Sequence, residues 1–284
     1  MAIDTTTADS TAGGATPAWI WLTQVRAFTE RCLREVRNSW TMLSVVLALP
    51  AGMQLLFGMQ SEDVPAELVA AMAIGTGTFG AMYICLYIFG YQLAGDLADR
   101  RYEAYRSMPL FPSADLAGRM LSGLVLAGVA FVLTLAAGVY TGASFGLRGP
   151  ASIPIVLLAF VVTCAFWMIV AMPFILYAQN ERVAEYAVPM LAIVGYIGTG
   201  INGASVELSP IEGEVLNYLP NTLPTRLLVY HLVPGDAWTD AGVVPPALPT
   251  GPEYIVLLVA YGALALAVGT VLLTAVLYRR GWRP

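Results

Sequence analysis

The chain has 284 residues, 58% of them hydrophobic and 12% charged, with a mean hydropathy of +0.70, which excludes an ordinary soluble domain and marks an integral membrane protein. All 14 basic residues are arginine, against 19 Asp and Glu, for a net charge of −5. A phosphate-binding G-x-x-x-x-G-K-[ST] loop needs its lysine, so the chain holds no standard ATP site and is not expected to be an enzyme in its own right.

The first fifteen residues, MAIDTTTADSTAGGA, are polar and acidic with no positive n-region. They predict a disordered cytoplasmic tail rather than a signal peptide, and residues 16–284 are expected to form one membrane domain. From Trp21 to Asn38 the pattern is helical. At about 100° per residue, Trp21, Leu22, Val25, Phe28, Cys32, Leu33 and Val36 share an arc of about 140°, with Arg26, Glu30, Arg31, Arg34 and Arg37 opposite. Thr16 and Pro17 supply the cap and first position. Such a helix is expected to lie in the membrane interface.

A first span is predicted from about Ser39 to Gly58, with Pro50 as a kink or a source of a freed carbonyl. After an acidic turn with Glu62, Asp63 and Glu67, a second span runs from about Leu68 to Gln92. Its Gly75, Gly77 and Gly80 lie among alanines, a surface for close helix packing. The third span is expected over Met120 to Ala143, with Ser113 as N-cap. The fourth and fifth cover Ile153 to Ala178 and Val183 to Ala204, joined by the turn QNER with Arg182. The sixth runs from Tyr254 to Tyr278 and ends in RRGWRP. Cys32, Cys85 and Cys164 are too scattered for a disulfide framework or a CxxC metal site.

Between spans two and three lies a charged island, GDLADRRYEAYRSMPLFPSADLAGR, from Gly95 to Arg119, with four of the arginines. With both termini cytoplasmic, twelve arginines face inward and only Arg148 and Arg226 outward, which sets the orientation. The long outer segment between spans five and six carries helix starts at Ser209-Pro210 and Thr222 to Pro224. Its apolar LLVYHLV is too short to cross, so short re-entrant or capping helices are expected there. His231, the only histidine, is expected to be structural.

The interiors of the six predicted spans hold no Asp, Glu, Arg or His. Ion-coupled carriers usually keep ionisable groups near the midplane, and intramembrane hydrolases need paired acids or an HExxH motif, so both classes are disfavoured. No nucleic-acid partner is expected. The fold class expected is an all-α membrane protein of six transmembrane helices, with an N-terminal interfacial amphipathic helix and short re-entrant outer helices between spans five and six.

In this order of elements the chain resembles the permease subunits of type-2 ABC transporters, exporters of drugs, polysaccharides and lipids. The likeness runs from about Trp21 onward. In DRRYEAYRSMPLFPSADLAGRM, Asp99, Arg100, Arg101, Met108, Pro109, Asp115, Gly118 and Arg119 stand where that family has a charged stretch, a turn and an acidic residue before Gly-Arg. Tyr102 to Tyr105 replace its frequent Gly-Thr-Leu-Glu core. TGINGASVELSP and NYLPNTLPTRLL are similar to its span-five end and outer segments.

The resemblance implies a multi-pass protein of the cell membrane, working as a homodimer or heterodimer with a second permease subunit. Its cytoplasmic coupling helix would dock on an ABC ATP-binding subunit that holds the ATP and Mg²⁺. The implied docking residues are Asp99, Arg100, Arg101, Glu103, Tyr105, Arg106 and Pro109, with Arg31 and Arg34 of the connecting helix. Two alternatives stand beside this. The arginines could serve only topology and anionic headgroups of the lipid bilayer. The chain could also be a non-transporting membrane scaffold or assembly factor that docks a soluble partner through the same loop. For Tyr83, Tyr87, Tyr91 and Tyr196, helix packing is the expected role, with an aromatic substrate path as its competitor.

Overall fold

A computed structural model describes residues 16–59, 64–178, 186–205, 208–233 and 248–278. The predicted tail 1–15, the residues Glu62 and Asp63, the QNER turn and the terminal RRGWRP lie outside the described residues.

Helix α1, Pro17–Asn38, starts where Thr16 Oγ1 accepts the Trp19 amide at 3.4 Å and Pro17 fits the first helical position. Its buried face is Val25, Phe28, Thr29, Cys32 and Val36. Leu22, predicted on that face, is exposed together with Trp19 and Ile20, so the N-terminal turns present apolar side chains outward. The face meets α5 closely. At Gly118 an added Cβ would lie 2.5 Å from Phe28 Cβ, and Thr29 Oγ1 donates to the Gly118 carbonyl at 3.2 Å.

Five helices are long and apolar enough to cross a membrane. They are α2 (Trp40–Met59), α3 (Ala66–Ala98), α5 (Pro112–Tyr140), α6 (Ser152–Ala178) and α11 (Pro252–Leu272), the last continuing as a π-helical turn, Leu273–Tyr278. A short helix, α4 (Arg101–Tyr105), joins α3 to α5. Helix α5 begins earlier than predicted, because Pro112 takes the first position and Phe111 the cap. Ser113 is therefore inside the first turn, and its Oγ accepts Trp21 Nε1 at 3.0 Å.

Helix α3 is the hub, packed against α2, α5 and α6, and glycine sets its close approaches. An added Cβ at Gly80 would lie 2.5 Å from Pro50 of α2, and one at Gly75 would lie 2.5 Å from the Ile201 carbonyl. Helices α6 and α11 run side by side in the same direction, with Val162 beside Gly262 and Ile169 beside Gly269.

Of the predicted fifth span, the described residues form α7, Val188–Gly198, and a turn, α8, Gly200–Gly203. All four residues of α8 have positive φ, from 53° at Ile201 to 85° at Gly203. Glycine adopts this conformation freely, whereas a β-branched side chain is strained there, at about 1–2 kcal/mol. Buried hydrogen bonds hold it. Asn202 Nδ2 donates to Thr78 Oγ1 (3.1 Å) and Thr225 Oγ1 (3.3 Å), and Arg226 Nη1 donates to the Gly203 carbonyl (3.1 Å). Two further short helices, α9 (Gly213–Leu216) and α10 (Thr222–Leu232), complete this end of the bundle.

Candidate functional site

The island predicted between spans two and three folds as α4 and its flanks, and it is tied to four other elements through two buried carboxylates. Asp96, in the last turn of α3, accepts from Arg31 of α1, from Arg101 Nη1 of α4 at 3.0 Å and from Arg119 of α5. Asp115, in the first turn of α5, accepts from Arg119 Nε at 2.7 Å, from the Tyr102 hydroxyl at 3.1 Å and from the Tyr278 hydroxyl at 3.3 Å. Asp96, Asp115 and Arg119 are almost wholly buried. Buried charges require this degree of pairing, since desolvating an ion costs several kcal/mol.

Around the ion cluster the rings close in. Tyr102 lies edge-on to Tyr105 and to Tyr278, at centroid distances of 5.4 and 5.6 Å. Phe28 of α1 meets Tyr105 at 5.7 Å, and Arg31 donates to the Tyr105 hydroxyl. Burial pushes the Tyr102 phenol well above its ordinary value, so it stays protonated and can donate to Asp115. Burial of the Arg31 guanidinium works against its charge, but the Asp96 carboxylate more than offsets this and holds the pKa above the usual arginine range.

The flanks are fastened separately. Gln24 of α1 donates through Nε2 to the Pro109 carbonyl at 3.0 Å and accepts the Phe111 amide at 2.9 Å. Arg106 Nε donates to the Leu277 carbonyl at 2.8 Å, joining the island to the end of α11. The short helix starts from Arg100, which sits at φ 54°, a left-handed position uncommon outside glycine and asparagine.

The residues expected to dock a partner therefore divide into two groups. Arg31, Tyr105, Arg101 and Arg106 hold the island to the bundle. Asp99, Arg100, Glu103, Pro109 and, on α1, Arg34 are exposed. Gln24, Asp96, Asp115, Arg119 and Tyr278 were not among the expected site residues. The i, i+4 spacing of Asp115 and Arg119 was a readable signal of an ion pair. The arrival of Asp96, Gln24 and Tyr278 at the same place depends on the fold. Among the described residues, no group of three or more His, Cys, Asp or Glu is placed to hold a metal ion.

No protein-family model matches the chain, and no curated protein matches its sequence.

Proposed function

We propose that the chain is the membrane-spanning subunit of an ATP-driven exporter of the type-2 ABC class, and that the island is the surface through which a separate ATP-binding subunit moves it. The observation that carries this reading is the construction of the island. A short helix, with exposed Glu103 and with exposed Asp99 and Arg100 just before it, is bonded through Asp96, Asp115, Arg119 and Arg106 to Arg31 in the body of α1 and to the ends of α3, α5 and α11. A push on such a helix reaches four elements at once, as a lever must.

The same architecture supports the rest of the proposal. Helix α1 lies across the cytoplasmic boundary as a connecting helix, its outward Trp19, Ile20 and Leu22 in the interface. Because α6 and α11 run in the same direction, the chain between them must return across the bundle. This supports six crossings, with α7 as part of the fifth and α9 and α10 as the outer cap. ATP and Mg²⁺ belong to the partner subunit, and a second permease subunit completes the pair.

The test is co-purification, in mild detergent, with the P-loop ATPase encoded nearest to this chain. The substitution Arg100→Glu with Glu103→Arg alters the exposed surface and leaves the buried cluster intact. The expected result is at least a tenfold loss of retained ATPase at unchanged melting temperature, the size of about 1.4 kcal/mol in binding. If the wild-type chain retains no ATPase in any salt or detergent, the transport reading falls and the scaffold reading takes its place.

A further inference from the structure

From Val69 to Leu93 helix α3 is buried at every position except Met72, Tyr83, Tyr87 and Tyr91. The last three lie four residues apart, so they form one stripe, and their rings stack on one another. Tyr83 and Tyr87 are 5.8 Å apart and tilted by 12°, and Tyr87 and Tyr91 are 6.2 Å apart and tilted by 25°. At the upper end Phe79 lies 6.1 Å from Tyr83 and 4.5 Å from Tyr196 of α7, so the ladder is closed by an aromatic pair. Toward the island it is open, and Tyr91 is 55% exposed.

A lipid-facing stripe would not have this composition. In the middle of α5, α6 and α11 the exposed large residues are aliphatic, such as Val125, Val129, Val161, Val259 and Leu264, and the half-buried rings there, Phe160, Phe166 and Tyr261, do not stack in a row along their helices as the half-buried Tyr83 and Tyr87 do with Tyr91. The exposed tyrosines of α5 and α6, Tyr140 and Tyr177, stand at helix ends, where aromatic belts form. Tyr83 is instead about 25 Å from the start and about 22 Å from the end of the 33-residue α3, near the middle of the helix. A helix seam is also the wrong reading. The close helix contacts of this chain are made at small residues, such as Gly80 against Pro50 and Gly138 against Ala73, whereas three large rings hold a neighbouring backbone away.

We infer that the Tyr83–Tyr87–Tyr91 ladder is a binding rail for a lipophilic cation carrying aromatic groups, entered from the island end and closed above by Phe79 and Tyr196. The ring faces carry negative electrostatic potential, so they attract a delocalised cation and stack with its rings while repelling an anion of the same shape. Glu67 and Asp96 are the acidic side chains of α3, with no acidic or basic side chain between them, so recognition along the rail is by rings rather than by an ion pair. This deepens the exporter reading by naming its substrate class, although the binding itself needs no ATPase.

The probe is tetraphenylphosphonium, compared with tetraphenylborate, which matches its shape and carries the opposite charge. Each is measured by equilibrium dialysis against the chain in uncharged phosphatidylcholine nanodiscs, with empty nanodiscs subtracted. Saturable binding of the cation and none of the anion is expected. Tyr83→Leu with Tyr87→Leu should weaken it at least about tenfold, and Tyr83→Phe with Tyr87→Phe should hold it within about threefold. Tyr91→Leu, at an exposed position that tolerates the change, should also weaken it. Equal binding of both ions, or cation binding untouched by the leucine variants, overturns the inference. So does efficient cross-linking of Tyr91→Cys between two copies by a short bismaleimide, which would make the stripe a seam. Binding without ATPase retention leaves the rail standing and removes the exporter reading, and ATPase retention without binding does the reverse.

Discussion

Arg119 has two carboxylate partners and almost no contact with solvent, which makes its removal costly in a specific way. Arg119→Leu would leave Asp96 to Arg31 and Arg101, but would strip Asp115 of its cation and keep it buried. A loss of about 3–5 kcal/mol is expected, read as a marked fall in melting temperature in detergent. Arg100 should behave in the opposite way. Its side chain is exposed and its backbone is left-handed, a conformation asparagine tolerates better. Arg100→Asn is expected to keep or raise the melting temperature while lowering ATPase retention, which would separate docking from folding in one variant. His231 gives a pH dependence. Burial and then the nearby Arg148 depress its pKa, and Ser152 Oγ lies 2.9 Å from its Nδ1. A depressed base is protonated more readily when unfolded. Stability is therefore fully present above the unfolded value of about 6.5 and falls as pH drops through the lower folded value. Melting curves from pH 8 to pH 5 should show this slope in the wild type and a shallower one in His231→Gln.

At the scale of elements, the sequence was legible wherever periodicity or length alone decides. The amphipathic α1 and the five long helices could be read in this way, and the glycines of span two pointed to close packing, which Gly80 and Pro50 provide. A direct contrast follows. Gly80→Ala should destabilise by about 1–3 kcal/mol, because the new Cβ meets a rigid proline ring. Gly95→Ala, where a Cβ meets nothing within 4 Å, should be neutral or gain up to about 1 kcal/mol. Paired melting curves decide it. The reversal at α8 was not legible. It is held by Asn202 donating to Thr78, more than a hundred residues away, and to Thr225, and by Arg226 donating to the Gly203 carbonyl, partners that only the fold brings together. The candidate site was legible in part for the same reason. Its charge stood out, but the division between arginines left exposed and arginines that brace the island depends on where Asp96 and Leu277 arrive.

The direction of each long helix links these elements into one topology. Ala73 of α3 meets Gly138 of α5 and Gly77 meets Phe131, so those two run oppositely, while α6 and α11 run together and Tyr278 returns to Asp115 beside α4. Ser107 and the end of α11 therefore share one end of the bundle. Ser144, whose amide donates to the Ala66 carbonyl at 3.3 Å, lies at the other. Glu253, in the first turn of α11, belongs with Ser144. The described cysteines, Cys32, Cys85 and Cys164, are all buried, so a cysteine introduced at an exposed position can be read against a quiet background. With a membrane-impermeant maleimide, Ser144→Cys and Glu253→Cys should label in intact cells and Ser107→Cys only after permeabilisation, as the arginine distribution requires. Labelling of Ser107→Cys from outside would invert the proposed orientation and move the island away from any cytoplasmic ATPase. Protection of Glu253→Cys alone would break the shared direction of α6 and α11, and with it the need for the chain between them to cross.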